Sequence, residues 1–265
     1  MKKILLLILF VPFGFAAGFA QKGFNIQIAL QPDKSGLIGD KFSKTSSGYT
    51  NAPIYKDFTF GFAGGINGGY NFTNHFGFSA GLNYSRQGQN YTDFELYEPG
   101  DSTSPYAYEN NISLSYLTIP LRLICSTNTD EPFSFSCYAG VYLGVLFSYK
   151  DTYKKTFGTT SYYTETMQGE IITVDYYNIY SGSFTNEYEL VGKPYKSMNL
   201  GLIAGAGVQK KITDKSAVQI MLNYQLGFTD VKNLDCRYSP STDPNRKIVH
   251  QNYIIGVMIG FQRSF

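Results

Sequence analysis

Through long stretches of this 265-residue chain, every second residue is apolar. In Phe24-Ile26-Ile28-Leu30 the polar residues between and after are Asn25, Gln27 and Gln31. From residue 57 to 72, Phe58, Phe60, Phe62, Ile66, Tyr70 and Phe72 share one parity, and Gly61, Ala63, Gly65, Asn67, Gly69 and Asn71 the other. A short Thr-Asn-His turn leads into Phe76, Phe78, Ala80, Leu82 and Tyr84, alternating with Gly77, Ser79, Gly81, Asn83 and Ser85. A period of two is the signature of a strand with two unlike faces. The same pattern fills residues 111–127 and 133–150, then 197–212 and 216–229, and finally 250–265. These segments predict about eight strands. The connections alternate between tight turns (73–75, 128–132, 213–215) and long polar loops (32–56, 92–110, 151–196, 230–249). Short turns at one end and long loops at the other are the pattern of bacterial outer-membrane barrels, and an even strand count places both termini at the short-turn, periplasmic end.

Alternation alone also fits a soluble barrel with its apolar face inward. Here one face is Gly, Ser, Asn and Gln and the other Phe, Leu, Ile, Val and Tyr. An eight-strand barrel has an interior just wide enough for side chains to fill. Large aromatics from every strand would overfill it, so the aromatic face should meet lipid. The predicted fold is all-β, a closed antiparallel up-and-down transmembrane β-barrel whose closure leaves no strand edge unsatisfied in the bilayer. Aromatics near the strand ends suggest two interfacial girdles, Tyr70, Phe72, Phe76 and Phe78 at one level and Phe58, Tyr91, Phe147 and Tyr149 at the other. Asn83, Asn223 and Gln225 fall on the lumen face. The parity of Leu117, Ile119, Leu121 and Leu123 sends Arg122 inward as well, with Tyr138 expected opposite it. Ser113 and Ser115 break that parity, which predicts a bulge there or near Pro120.

The first residues add the route. Lys2 and Lys3 precede an apolar run from Ile4 to Phe15, and Gly18-Phe19-Ala20 supplies small residues, so 1–20 read as a cleaved signal peptide and 21–265 as the barrel domain. Loss of the two lysines takes the formal net charge of +2 to near zero, and no basic patch suggests nucleic acid. The 27 glycines, 44 Phe and Tyr (21 and 23) and 16% charged residues suit closely packed strands facing lipid.

The matching pieces GFAGGINGGYNF, FGFSAGLNYSRQGQ, ISLSYLTIPLRL, FSCYAGVYLGVLFS and NYIIGVMIGFQRSF together resemble the PorT-type outer-membrane β-barrel family, the porin family barrel domain. The resemblance covers most of the chain after residue 20 and implies an outer-membrane location. Some members of that family are linked to protein secretion, a role that no residue here marks. The last strand, with Phe261 and the terminal Phe265 on one face, resembles the signal read by the barrel-assembly machinery, with Arg263 departing from the usual apolar residue.

Candidate chemistry is sparse. His75 lies in a tight turn. His250 begins the last strand near Asp230 and Asp243, but no motif supplies a nucleophile within its reach. No cofactor or metal site is expected. Cys125 and Cys137 flank one turn at matched distances on the apolar face, which makes them candidates for a disulfide, while Cys236 has no evident mate. The loop 151–196 holds eight tyrosines, a surface suited to binding, and its segment GEIITVDYYNIY has strand character. The reading is a structural or binding barrel without enzymatic chemistry. Its partners would be outer-membrane lipid and lipopolysaccharide, the assembly machinery, and an extracellular ligand reached through the long loops. Two alternatives stay open: a narrow transporter or secretion accessory, and an outer-membrane lipid hydrolase.

Overall fold

The computed structural model describes residues 23–38, 54–73, 75–98, 101–127, 131–157, 161–189, 193–231 and 251–265. Their regular structure is all strand: β1 (Phe24–Ile38), β2 (Ile54–Asn71), β3 (Phe76–Glu98), β4 (Asp101–Ser126), β5 (Phe133–Phe157), β6 (Ser161–Gln168), β7 (Ile171–Asn178), β8 (Gly182–Glu189), β9 (Met198–Thr213), β10 (Ser216–Gly227) and β11 (Gln251–Ser264). Eight of them form a ring, in the order β4–β3–β2–β1–β11–β10–β9–β5, and pairing of β4 with β5 closes it. First and last strands meet along Asn25↔Ser264 to Ile38↔Gln251. Closure leaves the ring without a free strand edge, as lipid demands.

The eight predicted strands match the ring in order and parity, but several run longer than their hydrophobic pattern. Residues 32–38 continue β1 past Pro32 rather than opening a loop. Residues 92–110 are mostly ladder, with β3 and β4 paired out to Glu98↔Asp101. Residues 151–196 hold the end of β5 and the whole of β6, β7 and β8, which add to β5 as a sheet outside the ring. These corrections share a cause. Outside the bilayer a strand needs no lipid-facing apolar row, so its ladder persists while the alternation fades.

Alternation in the membrane is as read from sequence. On β1, Phe24, Ile26, Ile28 and Leu30 face out, and Asn25, Gln27, Ala29 and Gln31 are buried inside. The predicted bulge falls between Ser115 and Tyr116, where Ser115 pairs with Ser148 but Tyr116 with Leu146, leaving Phe147 extra. At Pro120 there is no shift in register: Ala80↔Leu121 and Asn83↔Thr118 keep one frame on either side of it. Beyond the bulge the polarity of β4 inverts. Ile112, Leu114 and Tyr116 are wholly buried, while the exposed Arg86 donates to Ser113 Oγ at 3.0 Å on the outside. Above the lipid the outer surface meets water, so burial again favours apolar side chains within.

This inversion corrects one predicted girdle. Phe58 and Phe147 are exposed on the outer face, whereas Tyr91 is buried inside and Tyr149 packs against the same interior cluster. Tyr91 has the inward parity of β3, and Tyr149 lies past the bulge that swaps the faces of β5.

Candidate functional site

The barrel interior has three levels. Nearest the tight turns is a chain of amides. Gln27 Nε2 donates to Gln219 Oε1 at 2.8 Å, and Gln219 Nε2 donates to Gln209 at 2.8 Å and Gln262 at 2.6 Å. An amide both donates and accepts, so neighbouring strands can be stitched in series without an unpaired polar group.

The middle level combines that network with packing. Tyr138 donates to Asn223 Oδ1 at 2.8 Å, and Asn223 in turn donates to Gln31 Oε1. Asn83 donates weakly to Asn67 at 3.4 Å. Ala29, Tyr138, Tyr142, Ile203, Met221 and Met258 form an apolar cluster around it. Tyr138 stands opposite Gly205, and Tyr142 opposite Gly201. A Cβ on Gly205 would come within 2.5 Å of the Tyr138 ring, so glycine there gives the tyrosine its berth.

Arg122 sits in this interior at 4% exposure. Its expected opposite, Tyr138, is one diagonal away: Arg122 pairs with Gly140 and Ile124 with Tyr138. Cross-strand diagonals are still within reach of long side chains, and the guanidinium lies over the Tyr138 ring, 5.0 Å from its centroid. Arg122 Nε has no hydrogen-bond partner. Two small cavities, of about 20 and 40 Å³, adjoin Arg122; Gln225, Asn223 and Asn83 line the first, and Tyr138 the second.

The third level closes the outer mouth. Leu37, Tyr91, Ile112, Leu114, Tyr116, Tyr195 and Val231 form one buried cluster, with Leu146 and Tyr149 packed on it. Its members come from β1, β3, β4, β5 and the segments flanking β9 and β10, so the cluster spans the ring. A polar clasp holds its edge: Tyr195 donates to Asp151 Oδ2 at 2.5 Å, and Asn110 Nδ2 donates to Asp151 Oδ1 at 2.7 Å. Burial, then the adjacent Asp151 carboxylate, pushes the Tyr195 phenol well above its usual range. The cap escaped the sequence reading because Leu37, Tyr195 and Val231 fall in segments read as loops, Ile112, Leu114 and Tyr149 lie past the bulge, and the sequence pattern places Tyr91 in the outer girdle.

Outside the ring, β5 to β8 form a sheet, with Gly169 (φ 65°) and Gly182 (φ 85°) at its hairpins. A left-handed residue is what tight hairpins require and what glycine adopts at no steric cost. One face carries Tyr163, Met167, Ile172, Val174, Tyr176, Phe184 and Tyr188, with Tyr176 and Phe184 stacked at 5.1 Å. Every residue of β8 is exposed, and its outer edge has no neighbouring strand among the described residues.

The other residues singled out from the sequence are dispersed. Cys125 and Cys137 are register partners on the outer face, and both thiols are free. Phe261 and Phe265 face out, and Phe265 N–H closes the ring end on Phe24 O at 3.0 Å. His75 is exposed in its turn, its Nδ1 3.1 Å from Ser126 O. His250, Asp243, Cys236 and the segment 1–20 lie outside the described residues. Among the described residues, no cluster of three His, Cys, Asp or Glu could hold a metal.

Comparison with known proteins agrees with this architecture. The family model of the outer membrane protein beta-barrel domain matches residues 10–233. A search of curated proteins finds no match. Among solved structures the chain is similar to Ail, the attachment invasion locus protein of Yersinia pestis, at 13% identity over 91% of this chain and 99% of that one, with a TM-score of 0.33. It is also similar to OprG from Pseudomonas aeruginosa (10%, 92% and 96%, 0.38) and to the outer membrane protease OmpT from Escherichia coli (8%, 95% and 99%, 0.46). These likenesses are distant in sequence and in geometry. The match over most of the chain, with the closed eight-strand ring and its lipid-facing aromatic belt, makes this chain a bacterial outer-membrane protein of the beta-barrel domain family.

Proposed function

We propose that this protein is a sealed, non-enzymatic outer-membrane barrel that displays the β5–β8 sheet as a binding surface for an extracellular ligand. The observation that supports it most is that sheet itself, which extends beyond the ring and ends in the wholly exposed strand β8. Exposed strand edges are usually blunted or covered, because they template further pairing. Exposed Phe184 and Tyr188 on β8 offer rigid, amphipathic contact area. Strands β6–β8 with their turns, residues 161–189, hold Glu165, Glu170, Asp175, Glu187 and Glu189 and no Lys or Arg, so this outer part of the sheet, beyond Lys150, Lys154 and Lys155 of β5, favours a cationic partner. Within its family, the motifs that resemble PorT-type barrels support placing the chain in that group.

The test compares the full barrel in lipid nanodiscs with a variant in which residues 158–190 are replaced by a short Gly-Ser turn. Cationic peptides, neutral peptides and glycans are presented in turn, and binding is followed by interferometry. The full barrel should retain cationic peptides in a salt-sensitive way, and the deletion variant, still folded in the disc, should lose them. Equal retention by both proteins would refute the assignment to this sheet.

A further inference from the structure

Arg122 is a buried cation without a counter-charge among the described residues. No carboxylate lines either cavity beside it, and its neighbour in contact is the face of Tyr138. Gln27, Gln219, Gln209 and Gln262 in the same lumen are hydrogen-bonded in series, whereas Arg122 Nε has no partner. A buried charge persists when it is paired or coordinated. The larger cavity is lined by Gln27, Asn67, Ser79 and Gln219, side chains that can donate, and by Asn71 and Ser126 at the very ends of β2 and β4. It therefore reaches the tight-turn end of the barrel, while the apolar cap closes the other end.

We propose that this cavity is a binding site for a small monovalent inorganic anion of halide size, held by Arg122 and the surrounding amide and hydroxyl donors. One guanidinium calls for one negative charge. Ser79 Oγ and the second N–H of Gln27 can turn toward an anion without adding charge, whereas both N–H groups of Gln219 already donate to Gln209 and Gln262. Entry is from the periplasmic end, and the site is a dead end rather than a conduit. The inference is independent of the extracellular binding surface and concerns the opposite end of the molecule.

The experiment is urea unfolding of the refolded barrel in detergent micelles, at fixed ionic strength, with gluconate progressively replaced by chloride. Gluconate is larger than the halide-sized site proposed beside the guanidinium. Once the site fills, the folding constant of the wild type should rise about tenfold per tenfold rise in chloride. Arg122→Gln should remove the dependence and Arg122→Lys should retain it. If Arg122→Gln does not fold, bromide replaces chloride in crystals of the wild type, with an anomalous peak expected beside the guanidinium. The same chloride dependence in Arg122→Gln, a flat wild-type response from about 1 mM to about 1 M, or a bromide map empty at Arg122 would each overturn the proposal.

Discussion

Cys125 and Cys137 show how far residue-level pattern carries. Their parity and matched distances from the turn place them opposite one another, and the register pairs them directly. The kind of pairing was not legible. Thr127 N–H donates to Phe135 O at 2.9 Å, and hydrogen-bonded pairs recur every second residue, so the cysteines also form a hydrogen-bonded pair. Such partners have Cα atoms about 5.5 Å apart, within disulfide range, but their Cβ atoms lie near the wide end of about 4.5–5.5 Å. A disulfide wants about 3.5–4.5 Å. We therefore predict that both thiols stay reduced in the purified barrel. Maleimide labelling after unfolding without reductant should tag each cysteine, and recovery of one linked peptide two hydrogens lighter than the pair would count against it. Arg122 was legible in the same way: its inward direction followed from parity, its diagonal placement on Tyr138 did not, because register depends on turn length that parity does not report.

Among the elements, the membrane strands were legible because lipid on one side and a polar lumen on the other write a period of two into every one of them. The extensions were not. Residues 92–110 and 151–196 are rich in Tyr, Thr, Asn and charge and lack the lipid-facing apolar row of the membrane strands, yet ladder pairing continues through most of them. The Tyr195–Asp151–Asn110 clasp joins β4, β5 and the segment before β9 at the edge of the cap. Tyr195→Phe should leave Asp151 Oδ2 without its donor, at a cost of about 1–3 kcal/mol in urea unfolding. The pH dependence has a definite sign. With its folded pKa raised above the unfolded value of about 10, Tyr195 contributes stability that is full below that value and falls as pH rises beyond it. The gap between wild type and Tyr195→Phe should shrink from about pH 9 to about pH 11. A gap constant with pH would mean that the phenol is not the group holding the cap edge.

At the scale of the whole molecule, the barrel divides its length between two kinds of interior. Toward the tight turns the lumen is polar and carries cavities on either side of Arg122. Toward the outer mouth, Ile112, Leu114 and Tyr116 are wholly buried in an apolar cluster that crosses the ring. Ions need an unbroken polar path, and an eight-strand ring leaves no room for one beside filled side chains. The protein in planar bilayers should therefore show no steady conductance. If the cap is the barrier, emptying it should matter more than widening the polar half. The triple variant Ile112→Ala, Leu114→Ala, Tyr116→Ala should give brief, small openings, whereas Gln27→Ala with Gln219→Ala should stay closed although it removes more of the amide network. Each large-to-small change in a core costs roughly 2–5 kcal/mol, so the triple variant is compared only after its strand content has been confirmed by circular dichroism. A steady ionic current from the wild type would show that the cap does not seal the mouth. A folded triple variant as silent as the wild type would place the barrier lower, at the level of Tyr138, Met221 and Met258, where the interior is also apolar.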